Sequence, residues 1–141
     1  SNAMSRRDIH RTYQAIAFGD LPDSGTIDAP IARMDGSVIM RTVDYTRGER
    51  AVTHFTTLLR RNGLSFLELH LETGRTHQIR VHLSSIGHPL VGDTMYGPDC
   101  QRLMARQALH SAALSFPHPI TGIRMEFHCA LPEDMKQLLN A

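Results

Sequence analysis

Leu67, Leu69 and Leu71 alternate with Glu68, His70 and Glu72, a period of two that turns one side of a strand toward a core and the other toward water. It is the plainest strand signal in the chain. The alternation runs into Thr73-Gly74-Arg75-Thr76, where glycine permits a tight turn and a threonine can cap a following helix. From His77 the period changes. Ile79, Leu83 and Ile86 recur on one helix face, and Gly87, followed closely by Pro89, is placed to end that helix. The spacing predicts a helix of about ten residues.

The rest of the pattern is mainly strand. Residues 12–18 form a short mixed run that stops at Gly19 and leads into a loop over 20–25. Residues 38–43 and 51–59 are rich in Val, Thr, Phe and Ile and flank a turn at Arg47-Gly48, which predicts an antiparallel hairpin. A second hairpin is predicted from Leu114 and Phe116, a turn at Thr121-Gly122, and then Ile123, Met125, Phe127 and Cys129 alternating with Arg124, Glu126 and His128. Pro132 opens a short C-terminal helix, with Glu133 and Asp134 in its first turn and Lys136 further on. The expected class is α+β: a mostly antiparallel mixed sheet with a few short helices.

Length and composition narrow this only slightly. A chain of 141 residues has room for one domain. An apolar fraction of 41% and a charged fraction of 21% exclude disorder, collagen-like repeats and coiled coil. No run approaches the ~18 apolar residues that cross a bilayer, and no secretory pattern opens the chain, so it reads as a soluble cytoplasmic protein. Ser1-Asn2-Ala3 before Met4 reads as a tag scar, which leaves 4–141 as the domain. Cys100 and Cys129 have no metal-ligand or redox spacing and read as reduced thiols.

A net charge of +1 says little about partners, because the footprint of a nucleic acid depends on where basic residues cluster. Lys136 is the only lysine, while Arg75, Arg80, Arg102 and Arg106 all fall in the second half. Arginine suits phosphate, since its planar fork binds two oxygens together. The alternative is a genomic bias toward arginine on a solvated surface.

The densest functional cluster is Thr73-Gly-Arg-Thr-His-Gln-Ile-Arg-Val-His82 at the strand-to-helix turn. N–H groups at a helix start, with Arg75 beside them, can hold phosphate, while His77, Arg80 and Ser84 lie along one stripe of the helix. Arg80 borders the apolar face. A partly buried arginine cannot shed its charge and needs an anion beside it, either a structural carboxylate or a phosphate. Nine histidines also raise a metal enzyme, with His77 and His82 or His110 and His118 as ligands. Those spacings match no standard zinc motif, so no metal is expected.

Leu71-Glu-Thr-Gly-Arg-Thr-His-Gln-Ile-Arg-Val-His-Leu83, then Gly87-His-Pro-Leu-Val-Gly-Asp93 and Tyr96-Gly97, resembles the RluA family of pseudouridine synthases. Leu109-His110, Leu114-Ser-Phe116, His118-Pro119, Ala130-Leu-Pro132 and Asp134-Met135 resemble its later blocks. Tyr13-Gln-Ala15, Gly19, Ile27-Asp-Ala-Pro-Ile31 and Arg33 resemble its earlier ones, so the likeness runs over residues 11–139. Arg11 and Ser111 stand where the family usually has lysine and alanine.

The resemblance implies isomerisation of uridine in RNA, with ribosomal RNA the expected partner and neither metal nor organic cofactor. It implies an attacking aspartate, a tyrosine that stacks on the target base and assists proton removal, an arginine paired with the aspartate, and an apolar wall. Tyr13, Arg80 and Leu114 match the last three. Arg75, Thr76, His77, Gln78, Arg102 and Arg106 are the expected RNA contacts. The aspartate belongs to a His-Arg-Leu-Asp stretch that this sequence lacks. Arg33-Met34-Asp35 follows Pro30-Ile31 and lacks the family's continuation, so Asp35 is rejected as nucleophile, and Asp93 is read as a turn residue. The chain is therefore expected to be the C-terminal part of a catalytic domain, inactive alone, with a non-catalytic RNA-binding module as the alternative. Oligomeric state stays open.

Overall fold

The computed structural model describes residues 8–97 and 103–140. Cys100, Arg102 and Ser1-Asn2-Ala3, which the sequence suggests is a tag scar, lie outside them. Ten elements follow in order: β1 His10–Phe18, β2 Ser24–Asp28, β3 Ile31–Arg33, β4 Arg41–Val43, β5 Val52–Arg61, β6 Leu64–Leu71, α1 Gln78–Ser85, β7 Leu109–Pro117, β8 Arg124–His128 and α2 Glu133–Asn140. Six strands form one sheet in the order β2-β5-β6-β1-β7-β8, while β3 and β4 pair separately. Every pairing among the described residues is antiparallel.

β1 holds the centre because both its faces are covered. Ala15 and Ala17 turn toward α1 with Leu67, Leu69, Ile79 and Leu83, whereas Ile16 turns to the opposite side with Val91, Ala108 and Met135 of α2. Small alanines let α1 lie close to the sheet, and burial on both faces removes the two-residue alternation a half-exposed strand shows. No helix among the described residues is long and apolar enough to cross a membrane.

The α+β class and the β6, α1, β7–β8 and α2 elements agree with the sequence pattern. The hairpin expected between 38–43 and 51–59 does not form. β5 pairs with β2 and β6, and β4 pairs with β3 instead. The reason lies at Asn62-Gly63, whose φ values of 55° and 76° make the two-residue turn that joins β5 to β6. That dipeptide outweighs Arg47-Gly48. Val38 and Ile39 consequently lie exposed outside any strand, and β2 falls partly within what reads as loop.

At the start of α1, Thr76 does not cap the helix. His77 is the N-cap residue, in the left-handed region at φ 56°, with no side-chain capping bond. The helix is eight residues long, and Ile86 is exposed rather than part of the buried face. Gly87, at φ 87°, ends it as the pattern predicts.

Candidate active site

Four segments meet around the first turn of α1. β6 delivers Leu71 to the 73–76 turn, and Gln78 then ties that turn to the sheet from a buried position. Its Oε1 accepts from the Thr73 hydroxyl at 2.7 Å and the Arg75 N–H at 3.0 Å. Its Nε2 donates to the Val52 carbonyl and the Thr53 hydroxyl, both at 3.0 Å. Thr53 and the Ala29 carbonyl lie 2.8 Å from the two ring nitrogens of buried His82. Burial holds His82 below the usual imidazole range. A neutral ring with Nε2–H toward the carbonyl and Nδ1 accepting from Thr53 satisfies every member. Gln78, expected as an RNA contact, is therefore spent inside the fold, since both ends of its amide already have protein partners.

Two residues after Gln78, Arg80 forms a two-pronged ion pair with Asp93. Nε and Nη2 each donate to a carboxylate oxygen at 2.9 Å, with Arg80 13% and Asp93 0% exposed. Asp93 also accepts the N–H groups of Met95 and Tyr96 at 3.1 and 3.2 Å, so it is a turn residue and an ion-pair partner together. Burial alone would raise its carboxyl, but the guanidinium and the two N–H donors outweigh burial and hold it below the usual range. The pair raises Arg80 correspondingly. Nη1 of Arg80 has no hydrogen-bond partner among the described residues.

Tyr96 joins this pair to His77. Its ring lies under the Arg80 guanidinium, 5.1 Å from ring centre to the central carbon, and edge-on to His77 at 5.5 Å. The Tyr96 hydroxyl accepts the Arg41 N–H at 2.9 Å, which leaves its own proton for His77 Nδ1 at 2.7 Å. Burial first, then the charges of Arg80 and Arg41, push His77 below the usual imidazole range. The result is a neutral imidazole whose Nδ1 is taken by the Tyr96 hydroxyl, on a residue in strained left-handed backbone at φ 56°. Such strain is concentrated where function requires it.

Tyr13 lies on the same side of the sheet as α1 and packs against the cluster that holds Ile79 and Leu83. It lines a cavity of about 250 Å³ with Ile9, Arg11, Leu71, Glu72, Thr73 and Gly74. Leu114 pairs with Arg11 across β1 and β7, which puts it on that face too, two residues along from Tyr13. Arg75 donates to the Arg50 carbonyl and to Glu49, each at 2.7 Å, and Thr76 is exposed.

Arg106 is not brought here. It grips Asp134 of α2 with two 3.0 Å bonds, next to the cluster on the opposite side of the sheet. Arg102 lies outside the described residues. Tyr96 is the site residue that the sequence reading passed over except as part of the family pattern. Its place in Tyr96-Gly97, three residues after Asp93, was the available signal. Among the described residues no cluster of ligands suits a metal ion.

A family profile described as RNA pseudouridylate synthase matches residues 1–85. A Bacillus subtilis (strain 168) protein described as an uncharacterized RNA pseudouridine synthase is 49% identical over 140 residues, covering 99% of this chain and 49% of the relative. Ribosomal large subunit pseudouridine synthase D of Escherichia coli (strain K12) is 41% identical over 150 residues, covering 97% and 46%. The chain thus spans about half the length of the curated relatives it matches. Among solved structures, human RNA pseudouridylate synthase domain containing 4 superposes with a TM-score of 0.74 at 25% identity, over 96% of this chain and 62% of that one.

Proposed function

This chain belongs to the RNA pseudouridylate synthase family, of the RluA type, and from that premise we propose that it is the C-terminal part of a catalytic domain that converts uridine to pseudouridine in RNA. The reaction detaches the base, rotates it and rejoins it through carbon, so the base must first leave its stack. In this reading Tyr13 stacks on the freed base and assists proton removal, and Leu114 supplies an apolar wall. Arg80 pairs with the attacking aspartate, which the other half of the enzyme supplies. No metal or organic cofactor takes part.

The observation that carries the proposal is the state of Arg80. Asp93 grips its Nε and Nη2 edge and Tyr96 lies under its plane, so the guanidinium cannot swing, while Nη1 is left for a second carboxylate. A preorganised donor of this kind stabilises charge without reorganising during reaction. Asp93 cannot itself be the nucleophile, because its side chain is fully buried and both oxygens already accept hydrogen bonds. Ribosomal RNA, in the cytoplasm, is the proposed substrate, in line with the description of the Escherichia coli relative.

The chain contains no His-Arg-Leu-Asp stretch, so the purified chain is expected to release no tritium from carbon five of labelled uridine in ribosomal RNA. Joined behind the aspartate-bearing half of the Bacillus subtilis relative, it should turn over, and Arg80→Ala in that chimera should abolish turnover. Sustained release by the chain alone would overturn the inactivity, and an inactive but folded chimera would count against the catalytic reading.

A further inference from the structure

Arg33 and Arg41 are direct cross-strand partners at the end of the short β3–β4 sheet. Like charges placed opposite each other in an antiparallel pair destabilise it, and three residue pairs give this sheet little to offset that cost. Among the described residues no carboxylate pairs with either arginine. Arg33 is exposed and its side chain makes no hydrogen bond or ion pair among the described residues. Among the described residues the Arg41 side chain donates through Nη1 to the carbonyls of Val38, Ile39 and Met40, which hold its position but carry no charge to balance it.

Both residues line a groove of about 390 Å³ between the β3–β4 hairpin and the 74–76 turn, with Arg47, Glu49, Arg75 and Thr76. Four arginines face one carboxylate there. Glu49 pairs with Arg75 and Arg47 pairs with Asp35 and Asp44, so the surplus resides on Arg33 and Arg41. The walls are braced. The Arg41 N–H is held by the Tyr96 hydroxyl, Arg75 by the Arg50 carbonyl, and Ile31 and Val43 pack with Val81 of α1.

We propose that this groove is a phosphate subsite for RNA, in which Arg33 and Arg41 together bind a backbone phosphate of a nucleotide flanking the one at Arg80. The inference rests on the RNA-acting reading above and extends it to residues outside the Thr73–His82 cluster. The anion supplies the charge whose absence makes the β3–β4 pairing unfavourable, so binding and hairpin stability are coupled. The groove adjoins Thr76 and, through Tyr96, His77, which sets a continuous path for the strand.

The test measures binding of the chain to oligouridylate as a function of salt. Arg33→Ala should lower the salt slope by about 0.7 and weaken binding roughly four-fold at physiological salt, as expected for one lost single-strand phosphate contact. Its thermal midpoint without RNA should stay level or rise, because the repulsion opposite Arg41 is gone. Arg61→Ala serves as control: Arg61 is exposed, its side chain makes no hydrogen bond or ion pair among the described residues, and it sits at the β5–β6 turn away from the groove.

Equal losses from Arg33→Ala and Arg61→Ala would overturn the subsite while leaving the RNA-acting reading intact. No salt-dependent binding by the unsubstituted chain would sink its RNA-contact part as well. Displacement of RNA by inorganic phosphate, beyond the effect of chloride at equal ionic strength, would assign the groove to a free anion instead.

Discussion

Replacing Asp93 by asparagine keeps the oxygen that receives the Met95 and Tyr96 N–H groups but removes the charge that faces Arg80. It also turns an amide N–H₂ toward the Arg80 Nε–H, so two donors meet in a site where Asp93 is 0% and Arg80 13% exposed. Removing one partner of a buried pair costs ~3–5 kcal/mol. Asparagine retains the turn, so the lower end, about 3 kcal/mol, is expected, with Asp93→Ala toward the upper end. Against a total of ~5–15 kcal/mol for a typical domain, both losses are readily measured by urea unfolding followed by circular dichroism. The pH dependence supplies the sharper check. The Asp93 carboxyl sits lower in the folded than in the unfolded chain, so its stabilisation is complete above the ordinary value of 3.8 and disappears as pH falls through the folded value. The unsubstituted chain should lose stability over that acid window, and Asp93→Asn should lack that part of the slope. A cost below about 1 kcal/mol at neutral pH, or an unchanged acid slope, would refute the assignment of Asp93 as the partner that holds Arg80.

Two further outcomes follow from the same geometry. His82 is held neutral below its unfolded value, so the unfolded chain takes up a proton first; stability should fall as pH drops below ~6.5, by at most about 1.4 kcal/mol per pH unit, and His82→Asn should flatten that slope in urea titrations. Gly92, at φ 78°, faces the Arg106 carbonyl where a methyl group would go, whereas Gly36, at φ 79°, faces open space. Gly36→Ala should cost only the ~1–2 kcal/mol of left-handed backbone, and Gly92→Ala clearly more, read from thermal midpoints.

Several elements around the candidate site were legible locally. The Leu67–Leu69–Leu71 alternation places β6, Gly87 ends α1, and the family pattern points to Arg80, Tyr13 and Leu114. Gln78 shows where local reading fails. Its residue type and position within the cluster suggest an RNA contact, yet its amide is occupied by Thr73, Arg75, Val52 and Thr53, two of them about 25 residues away in sequence. Arg106 likewise has a partner that no spacing shows, because Asp134 arrives on α2. The hairpin assignment failed for another reason. Asn62-Gly63 was a readable signal that outranks Arg47-Gly48 as a two-residue turn.

By itself the sequence determined the element types, the family, and the presence of an arginine that must find an anion. These rest on short-range periodicity, on turn residues with restricted φ, and on the desolvation cost of a charge that cannot be lost. Only the tertiary structure decided which anion it found, which ring nitrogen of His77 the Tyr96 hydroxyl takes, and that Arg33 stands opposite Arg41. Those outcomes depend on strand register and on loops that meet across tens of residues, and no local rule of spacing encodes such meetings.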